Sequence, residues 1–331
     1  MTLRRRTREA ADVLVGKFLD AKLSQKSSLY PWQINASESL VTPGDSAGGP
    51  ANDDARLADL ELRYGRFDPT VTTPFVWVNG KVSAEDLSRY RGDNQYVWQR
   101  GGLNGNDLAY ALSYYYLKSG TGADLLRKMN EDGAFGALTI EVDGRLVSRD
   151  LLDSVGEIDF LRRHVGLGEK PLSVLDVGAG YGRLAYRMTE TVEAFVYATD
   201  AFATSTFLCE HYLAHRNSSA VTVPLDEVDD FLGSTNVDIA TNIHSFSECR
   251  IEAVEWWIGR LAKAGVRYLM VVPNSVASTG EPRCLTNDRQ DMEAVFEAAG
   301  YSLVAREPRH RDPLVQRFGL DAAQFNLFQL R

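Results

Sequence analysis

The sequence has few cysteines, no long hydrophobic run and no excess of positive charge, and each shortage excludes a class of protein. Its 331 residues include only three cysteines, Cys209, Cys249 and Cys284, without the spacing of a disulfide or zinc framework. No window reaches the roughly 18–20 apolar residues of a membrane span, and residues 1–23 lack the uncharged core of a signal peptide. With 45 acidic and 36 basic side chains, the net charge is -9, which disfavours nucleic-acid binding. We therefore expect a cytoplasmic protein without a membrane or nucleic-acid partner.

What is present is an ordinary globular composition, with 44% hydrophobic, 10% aromatic and 24% charged residues. The length suffices for one large domain or two modest ones. Residues 1–150 are predicted to be a mainly helical, aromatic-rich region that binds or covers the substrate, and residues 151–331 a second unit. The aromatic rings of the first region either form its core or line a pocket, and both interpretations stay open. An alternating stretch over residues 138–148, centred on Asp143-Gly144, predicts a β-hairpin.

From residue 171 onward, short apolar runs alternate with helical stretches. The seven predicted strands are LSVLDV, AFVYATD, AVTV, VDIATNI, VRYLMVV, YSLVAR and QFNLFQLR. This alternation predicts βαβ units and therefore an α/β fold, a doubly wound parallel sheet with helices on both faces. The last two strands are predicted to form an antiparallel edge.

A glycine-rich turn follows the first of these strands, with Gly178, Gly180 and Gly182 at alternate positions. The third glycine comes too early for the dinucleotide fingerprint. Asp176 ends the first strand and Asp200 ends the second, near the offset at which such sheets place a ribose-binding carboxylate. Because carboxylates repel a pyrophosphate, this combination predicts a nucleoside site that avoids phosphate.

The segments VLDVGAGYG and VYATD resemble the class I S-adenosylmethionine-dependent methyltransferases, a resemblance that covers residues 171–331. It implies a Rossmann-like seven-stranded sheet with an antiparallel last strand, and S-adenosyl-L-methionine as cofactor, with S-adenosyl-L-homocysteine as product. It also implies that Asp176 orders the loop and the cofactor's amino group, and that Asp200 holds both ribose hydroxyls. The other cofactor-binding residues that it implies are Gly178, Ala179, Gly180, Ala201 and Asn242, with an adenine site just after the third strand at Pro224, Leu225 and Asp226. Asp226 could equally cap the helix that follows it.

The segment after the fourth strand carries the candidate catalytic residues, His244 and Glu248. If it is helical, the two side chains share a face, and the carboxylate can orient the imidazole and raise its basicity. Transfer of a methyl group to a hydroxyl needs a base, because an alcohol is a poor nucleophile. His244 is the predicted base, although a histidine that only packs the strand end is the alternative.

The segments SRDLLDSVGEIDFL, TNIHSFSEC and RGDNQYVWQ narrow the resemblance to the sugar O-methyltransferases of bacterial natural-product clusters. That resemblance implies two more cofactor contacts, Ser154 and Glu157, which could otherwise be solvent-facing helix residues. It assigns the acceptor side to Tyr96, Trp98 and Gln99. His310, in a basic loop before the last strand, is a reserve base or substrate contact. No pair of carboxylates has the spacing of a metal site, so no metal is predicted.

The sequence thus predicts an O-methyltransferase that acts on a hydroxyl of a sugar or deoxysugar, as a nucleotide sugar or a glycosylated natural product. A role in antibiotic biosynthesis follows from the same resemblance. One alternative is methylation of a phenolic or polyketide hydroxyl, and another is a scaffold that binds the cofactor without catalysis. The fold alone does not decide among them. A homo-oligomer is compatible with the sequence.

Overall fold

The computed structural model describes residues 42–43, 49–50, 54–72, 82, 86–92, 96, 106–274, 283–320 and 323–331. Its strands are β1 (Thr42–Pro43), β2 (Leu138–Val142), β3 (Arg145–Ser148), β4 (Leu172–Val177), β5 (Ala194–Thr199), β6 (Val221–Thr222), β7 (Ile239–Ile243), β8 (Tyr268–Val272), β9 (Tyr301–Pro308) and β10 (Gln324–Leu330).

The helices are α1 (Ala55–Tyr64), α2 (Pro69–Thr72), α3 (Asn106–Ser119), α4 (Ala123–Lys128), α5 (Arg149–Val165), α6 (Arg183–Thr191), α7 (Ala203–His215), α8 (Val228–Ser234), α9 (Ile251–Lys263), α10 (Met292–Ala298) and α11 (Pro313–Phe318). Short 3₁₀ turns cover Asp86–Ser88, Ala134–Gly136, Leu225–Glu227 and Ser245–Glu248. No helix among the described residues is long and apolar enough to cross a membrane.

The strands β4 to β10 form one sheet in the order β6-β5-β4-β7-β8-β10-β9. Neighbours from β6 to β8 pair in parallel, whereas β10 pairs antiparallel with both β8 and β9. Every residue of β4 is buried, because helices cover both faces of the sheet. All seven predicted strands are present, and the predicted Rossmann-like α/β sheet with a reversed last strand is confirmed.

The predicted hairpin is confirmed as β2 and β3, and β1 extends it to three strands. Asp143 and Gly144 both have positive φ values, 58° and 72°, as a two-residue hairpin turn requires. The last hairpin residue, Ser148, also caps α5, since its Oγ accepts a hydrogen bond from the Leu151 amide at 3.3 Å. The hairpin therefore leads directly into α5 and fixes where that helix begins.

Besides a small cluster that packs Tyr90 and Phe135 against Tyr212, two larger hydrophobic clusters join residues from before position 150 to the sheet and its helices. In one, Tyr110, Leu125 and Val147 pack with Val155 and Leu184. The other joins side chains of α1 to α7 and to the turn after β6, with Leu57, Leu60, Tyr64, Phe207 and Leu225 among its members. The described residues before position 150 therefore share hydrophobic cores with the sheet and its helices. All three cysteines are buried and carry free thiols.

Candidate functional site

The glycine loop lies at the carboxyl end of β4, where the strand order reverses between β5 and β7. Gly178 and Gly180 have positive φ values of 72° and 57°, which favour glycine. A Cβ on Gly178 would overlap the Ser245 side chain, and one on Gly180 would come within 2.9 Å of the Tyr96 ring. Glycine is therefore required at both positions by neighbouring protein groups.

The amide groups of this loop already have partners. Gly178 and Ala179 donate to the Thr199 carbonyl oxygen at 2.9 and 3.1 Å, and Gly180 donates to Asp200 Oδ2 at 2.9 Å. A phosphate-binding loop instead points its amides at the ligand. These three amides are therefore not directed at a pyrophosphate, and the predicted nucleoside site stays a prediction.

Asp176 and Asp200 flank the loop, and among the residues that the structure describes neither carboxylate forms an ion pair, although the charge of Arg183 acts on Asp176 from a greater distance. Asp176 Oδ1 accepts a hydrogen bond from Thr241 Oγ1 at 2.7 Å, and Asp200 Oδ1 accepts one from the Phe202 amide at 2.8 Å. Burial raises the pKa of each carboxyl to about 7. Near neutral pH, the free protein therefore holds these groups only partly ionised.

His244 follows β7 in a strained backbone conformation, with φ 68° and ψ −31°. Its amide donates to the Val272 carbonyl at 2.7 Å, while its Nδ1 has no hydrogen-bond partner among the described residues. Burial, and then the charge of Arg309, lower its pKa to about 3, against the opposing effect of Asp153. The imidazole is therefore neutral at physiological pH, with one nitrogen available.

The expected pairing of His244 with Glu248 depended on an α-helix, and that condition is not met. Residues 245–248 form a 3₁₀ turn, in which side chains four positions apart do not share a face. Glu248 Oε1 instead accepts a hydrogen bond from Asn274 Nδ2 at 3.2 Å. The carboxylate that favours the protonated form of His244 is Asp153.

Asp153 belongs to a buried cluster that sequence reasoning missed. Arg309 Nη1 lies 2.9 Å from Asp153 Oδ1, and Arg149 Nε lies 3.3 Å from Oδ2. Although burial opposes ionisation, these two arginines hold the pKa of Asp153 below its usual range. Only the Arg149–Asp153 spacing is a local signal, since Arg309 reaches the cluster through the fold.

Ser154 and Glu157 are fully buried, so they are not solvent-facing helix residues. Arg183 Nη1 donates to Ser154 Oγ at 2.8 Å and to Glu157 Oε2 at 2.7 Å. Arg183 is the first residue of α6, directly after the glycine loop. The two predicted cofactor contacts are thus tied to the loop through Arg183, which the sequence did not single out.

A second buried network lies beneath the loop. The Tyr181 hydroxyl donates to Asp150 Oδ2 at 2.8 Å, and Arg91 Nη2 lies 2.6 Å from the same oxygen. Arg187 Nη2 lies 3.6 Å from Asp150 Oδ1. Although burial opposes ionisation, Arg91 and then Arg187 hold the pKa of Asp150 well below its usual range. The network joins the Arg91 segment to the glycine loop through Tyr181.

The remaining predicted cofactor residues lie at the same edge of the sheet. Asn242 holds the end of β7, since its Nδ2 donates to the Val177 carbonyl and its Oδ1 accepts from the Phe246 amide. Ala201 directly follows Asp200 and is partly buried.

Leu225 and Asp226 lie in the turn after β6. The Leu225 amide donates to the Tyr64 hydroxyl at 2.7 Å, and Asp226 pairs with Arg63. Asp226 does not cap α8, whose N-cap residue is Glu227.

The predicted acceptor residues are separated. Tyr96 lies against the glycine loop, where its hydroxyl accepts a hydrogen bond from Ser205 Oγ at 3.3 Å. His310 is buried against α3, with its Nε2 3.4 Å from Ser113 Oγ and its ring edge-on to Tyr116. Burial, and then the charge of Arg309, lower its pKa to about 4. Trp98 and Gln99 lie outside the described residues. No group of three potential ligands among the described residues is arranged to hold a metal.

Comparison with known proteins identifies similar folds but no family. No family model matches the chain, and no curated protein matches it. A magnesium protoporphyrin IX methyltransferase from Synechocystis PCC 6803 with bound SAM is 17% identical, with a TM-score of 0.39 over 70% of this chain and 100% of that one. An S-adenosylmethionine-dependent methyltransferase from Clostridium acetobutylicum is 9% identical, with a TM-score of 0.40 over 54% and 90% of the two chains. Likenesses this distant assign no chemistry, so the function must follow from the site's own residues.

Proposed function

We propose that this protein is a cytoplasmic S-adenosylmethionine-dependent O-methyltransferase that methylates a hydroxyl of a sugar, as a nucleotide sugar or a glycosylated natural product. The observation that carries the proposal is the glycine loop, whose amides are occupied and whose neighbours are two carboxylates without a bound cation. Such a site suits a nucleoside with positive charge and repels a pyrophosphate.

The two carboxylates at the loop fit S-adenosylmethionine, which carries the methyl group to be transferred on a sulfonium. Asp200 would accept hydrogen bonds from the ribose hydroxyls, because its oxygens keep lone pairs beyond those used by Gly180 and Phe202. Asp176, fixed by Thr241, would order the loop beside the ammonium group. A nearby cation favours the ionised carboxylates, so it would lower both pKa values from about 7.

His244 would accept the proton of the acceptor hydroxyl. A base with a pKa of about 3 is too weak to deprotonate a free alcohol, but it is always neutral at working pH. As the new C–O bond forms, the hydroxyl proton becomes strongly acidic, so a neutral, correctly placed imidazole suffices to remove it. Asp153 and its charge would then stabilise the imidazolium.

The sugar acceptor is supported by the resemblance in RGDNQYVWQ and TNIHSFSEC, and by the need for a base. An aliphatic hydroxyl is far less acidic than a phenol, so it depends more on a positioned proton acceptor, whereas the same histidine would also serve a phenol. We also infer that residues 1–150 supply the acceptor-binding region, since a transfer reaction needs both reactants held in line.

The test incubates the protein with radiolabelled S-adenosylmethionine and a panel of nucleotide sugars, glycosylated products and phenols. We expect label in at least one sugar hydroxyl and none in the phenols. Label in phenols alone would replace the sugar with an aromatic acceptor. Cofactor binding without transfer to any member would favour the scaffold alternative, and absence of cofactor binding would overturn the proposal.

A further inference from the structure

Helix α1 lies outside the sheet, yet its last turn contacts two residues assigned to the adenine side of the cofactor site. Arg63 donates from Nε to Asp226 Oδ2 and from Nη2 to Oδ1, at 2.7 Å each. The same Nη2 donates to Glu227 Oε1 at 2.7 Å. A bidentate pair of this kind fixes the plane of the carboxylate as well as its position.

Tyr64 adds a second contact, and this one is buried. Its hydroxyl accepts a hydrogen bond from the Leu225 amide at 2.7 Å and shares another with Thr206 Oγ1 at 2.9 Å. Thr206 Oγ1 also lies 3.4 Å from the main-chain oxygen of Asp200. One phenol therefore links residues 224–227, which we name the adenine loop, to the segment that carries the predicted ribose carboxylate.

We propose that Arg63 and Tyr64 are positioning residues for the nucleoside half of the cofactor site. They act through Asp226 and Leu225, whose positions they fix, and need not touch the ligand. This inference rests on the proposed function, because it concerns the same cofactor. It makes affinity for adenosine-bearing ligands depend on a helix outside residues 171–331.

The same helix contains a matched control. Arg56 pairs with Glu210 on α7 at 2.9 and 2.6 Å, and with Asp59 at 3.0 Å. Among the contacts of the described residues, none of these reaches the adenine loop directly, and the one group that Arg56 shares with Arg63 is Asp59 Oδ2, which lies 3.5 Å from Arg63 Nη1. Arg56→Gln therefore removes the same charge and a similar bidentate pair as Arg63→Gln, but leaves the loop in place.

The experiment measures S-adenosylmethionine affinity by calorimetry for the full chain and its variants. We expect Arg63→Gln and Tyr64→Phe to raise the Kd by about 5- to 20-fold, and Arg56→Gln by less than about twofold. The direction of the change in Kd separates a positioning effect from a long-range charge effect, since loss of a positive charge alone would strengthen binding of a cationic ligand. Arg63→Lys should restore part of the loss.

A double-mutant cycle tests whether Arg63 acts through Asp226. If it does, Arg63→Gln combined with Asp226→Asn should weaken binding little more than the worse single variant. Melting temperatures of the same preparations show whether each variant is folded. If the arginine variants are unstable, Tyr64→Phe still tests the inference, because it keeps the buried ring and removes only the hydroxyl.

The inference is wrong if Arg63→Gln and Tyr64→Phe bind as the wild type does, or if Arg56→Gln is equally impaired. Additive losses in the cycle would also overturn it. If the wild-type chain binds no S-adenosylmethionine, the proposed function itself fails and takes this inference with it. Normal binding by all variants overturns only the role of α1.

Discussion

Two pairs of carboxylates near the glycine loop, three of them buried and Asp200 partly buried, are held in opposite ways. Asp150 and Asp153 on α5 are paired with arginines, which keep their pKa values below the usual range despite burial. Asp176 and Asp200, at the ends of β4 and β5, have only hydrogen bonds from neutral groups, and burial raises the pKa of each to about 7. The first pair is compensated by ion pairs within the protein, whereas the second has no ion pair, and the charge of Arg183 offsets only part of the effect of burial on Asp176.

From this difference we expect the first pair to stabilise the fold and the second pair to bind a ligand. A buried charge without a compensating charge is costly, so a protein retains one where something else supplies the partner. The ligand that completes Asp176 and Asp200 is expected to be cationic. Asp150 and Asp153 need no ligand, and their arginines come from distant parts of the chain.

His244 is linked to both pairs of carboxylates. The charge of Asp153 raises the pKa of His244, and the side chain of its neighbour Ser245 lies next to Gly178 in the glycine loop. His244→Ala should lower turnover on the acceptor found in the panel by about 10²–10⁴-fold, the range for loss of a general base. Cofactor affinity should stay nearly unchanged. His310→Ala tests the reserve candidate in the same assay: if His310 only contacts Ser113 and Tyr116, its loss should lower the melting temperature and leave turnover per folded molecule nearly normal. Normal turnover per folded His244→Ala molecule would assign His244 a packing role only.

Asp150→Asn should be the most destabilising change among the four carboxylates. It removes one of the two buried carboxylates that Arg91 and Arg187 share, since Glu131 Oε2 stays 2.8 and 3.1 Å from their Nη2 atoms, and breaking a buried pair of this kind costs up to about 3–5 kcal/mol of unfolding free energy. Denaturation by urea at pH 7.5 measures this loss. The matched change Asp176→Asn should stabilise the protein at that pH, because it removes a buried carboxyl whose ionisation burial opposes. Equal destabilisation by both variants would erase the distinction between the pairs.

Asp200→Ala should weaken S-adenosylmethionine binding by about 1.5–3 kcal/mol, since it removes hydrogen bonds to a charged acceptor. Calorimetry on a folded variant measures the effect. Unchanged affinity would remove the ribose assignment and leave Asp200 as a residue that only orders Gly180 and Phe202.

The smallest expected effect is a pH dependence of cofactor binding. Suppose that a cationic cofactor binds the ionised forms of Asp176 and Asp200. Its affinity is then highest above the pKa of about 7 that these carboxyls have in the ligand-free protein, and it falls as the pH drops below that value. Between pH 8 and pH 6 the loss should be about tenfold for each carboxylate that must ionise. Titration calorimetry at several pH values checks this, with Asp200→Asn expected to flatten the curve. A flat wild-type curve would mean that neither group is poised near neutrality.

Most of the fold could be predicted because its signals are local. The apolar runs of β4 to β10, the turn at Asp143-Gly144 and the glycines after β4 are each contained in a few residues. The seven-stranded sheet follows from their alternation. An antiparallel edge was predicted from the last two strands, and the resemblance then implied that the last strand, β10, is the reversed one.

The site was predicted less completely, because its contacts join distant segments. No spacing could reveal that Arg309 reaches Asp153, that Arg91 reaches Asp150 or that Arg63 reaches Asp226. The interpretation of Glu248 failed for a different reason. A four-residue spacing pairs side chains only in an α-helix, and the segment forms a 3₁₀ turn after a strained His244.

Because all three thiols are buried, their alkylation rates would measure how often the segments around them unfold. Burial raises the pKa of Cys209 and Cys249 to about 12, and it also raises the pKa of Cys284 well above its usual range. Because only the thiolate reacts with iodoacetamide, the closed molecule should incorporate almost no label at pH 8. Each thiol reports on a different segment: Cys209 packs against the start of α6, Cys249 follows the turn after β7, and Cys284 precedes α10. Labelling each position over time, with and without cofactor, would therefore rank how often these segments unfold and which of them the ligand protects.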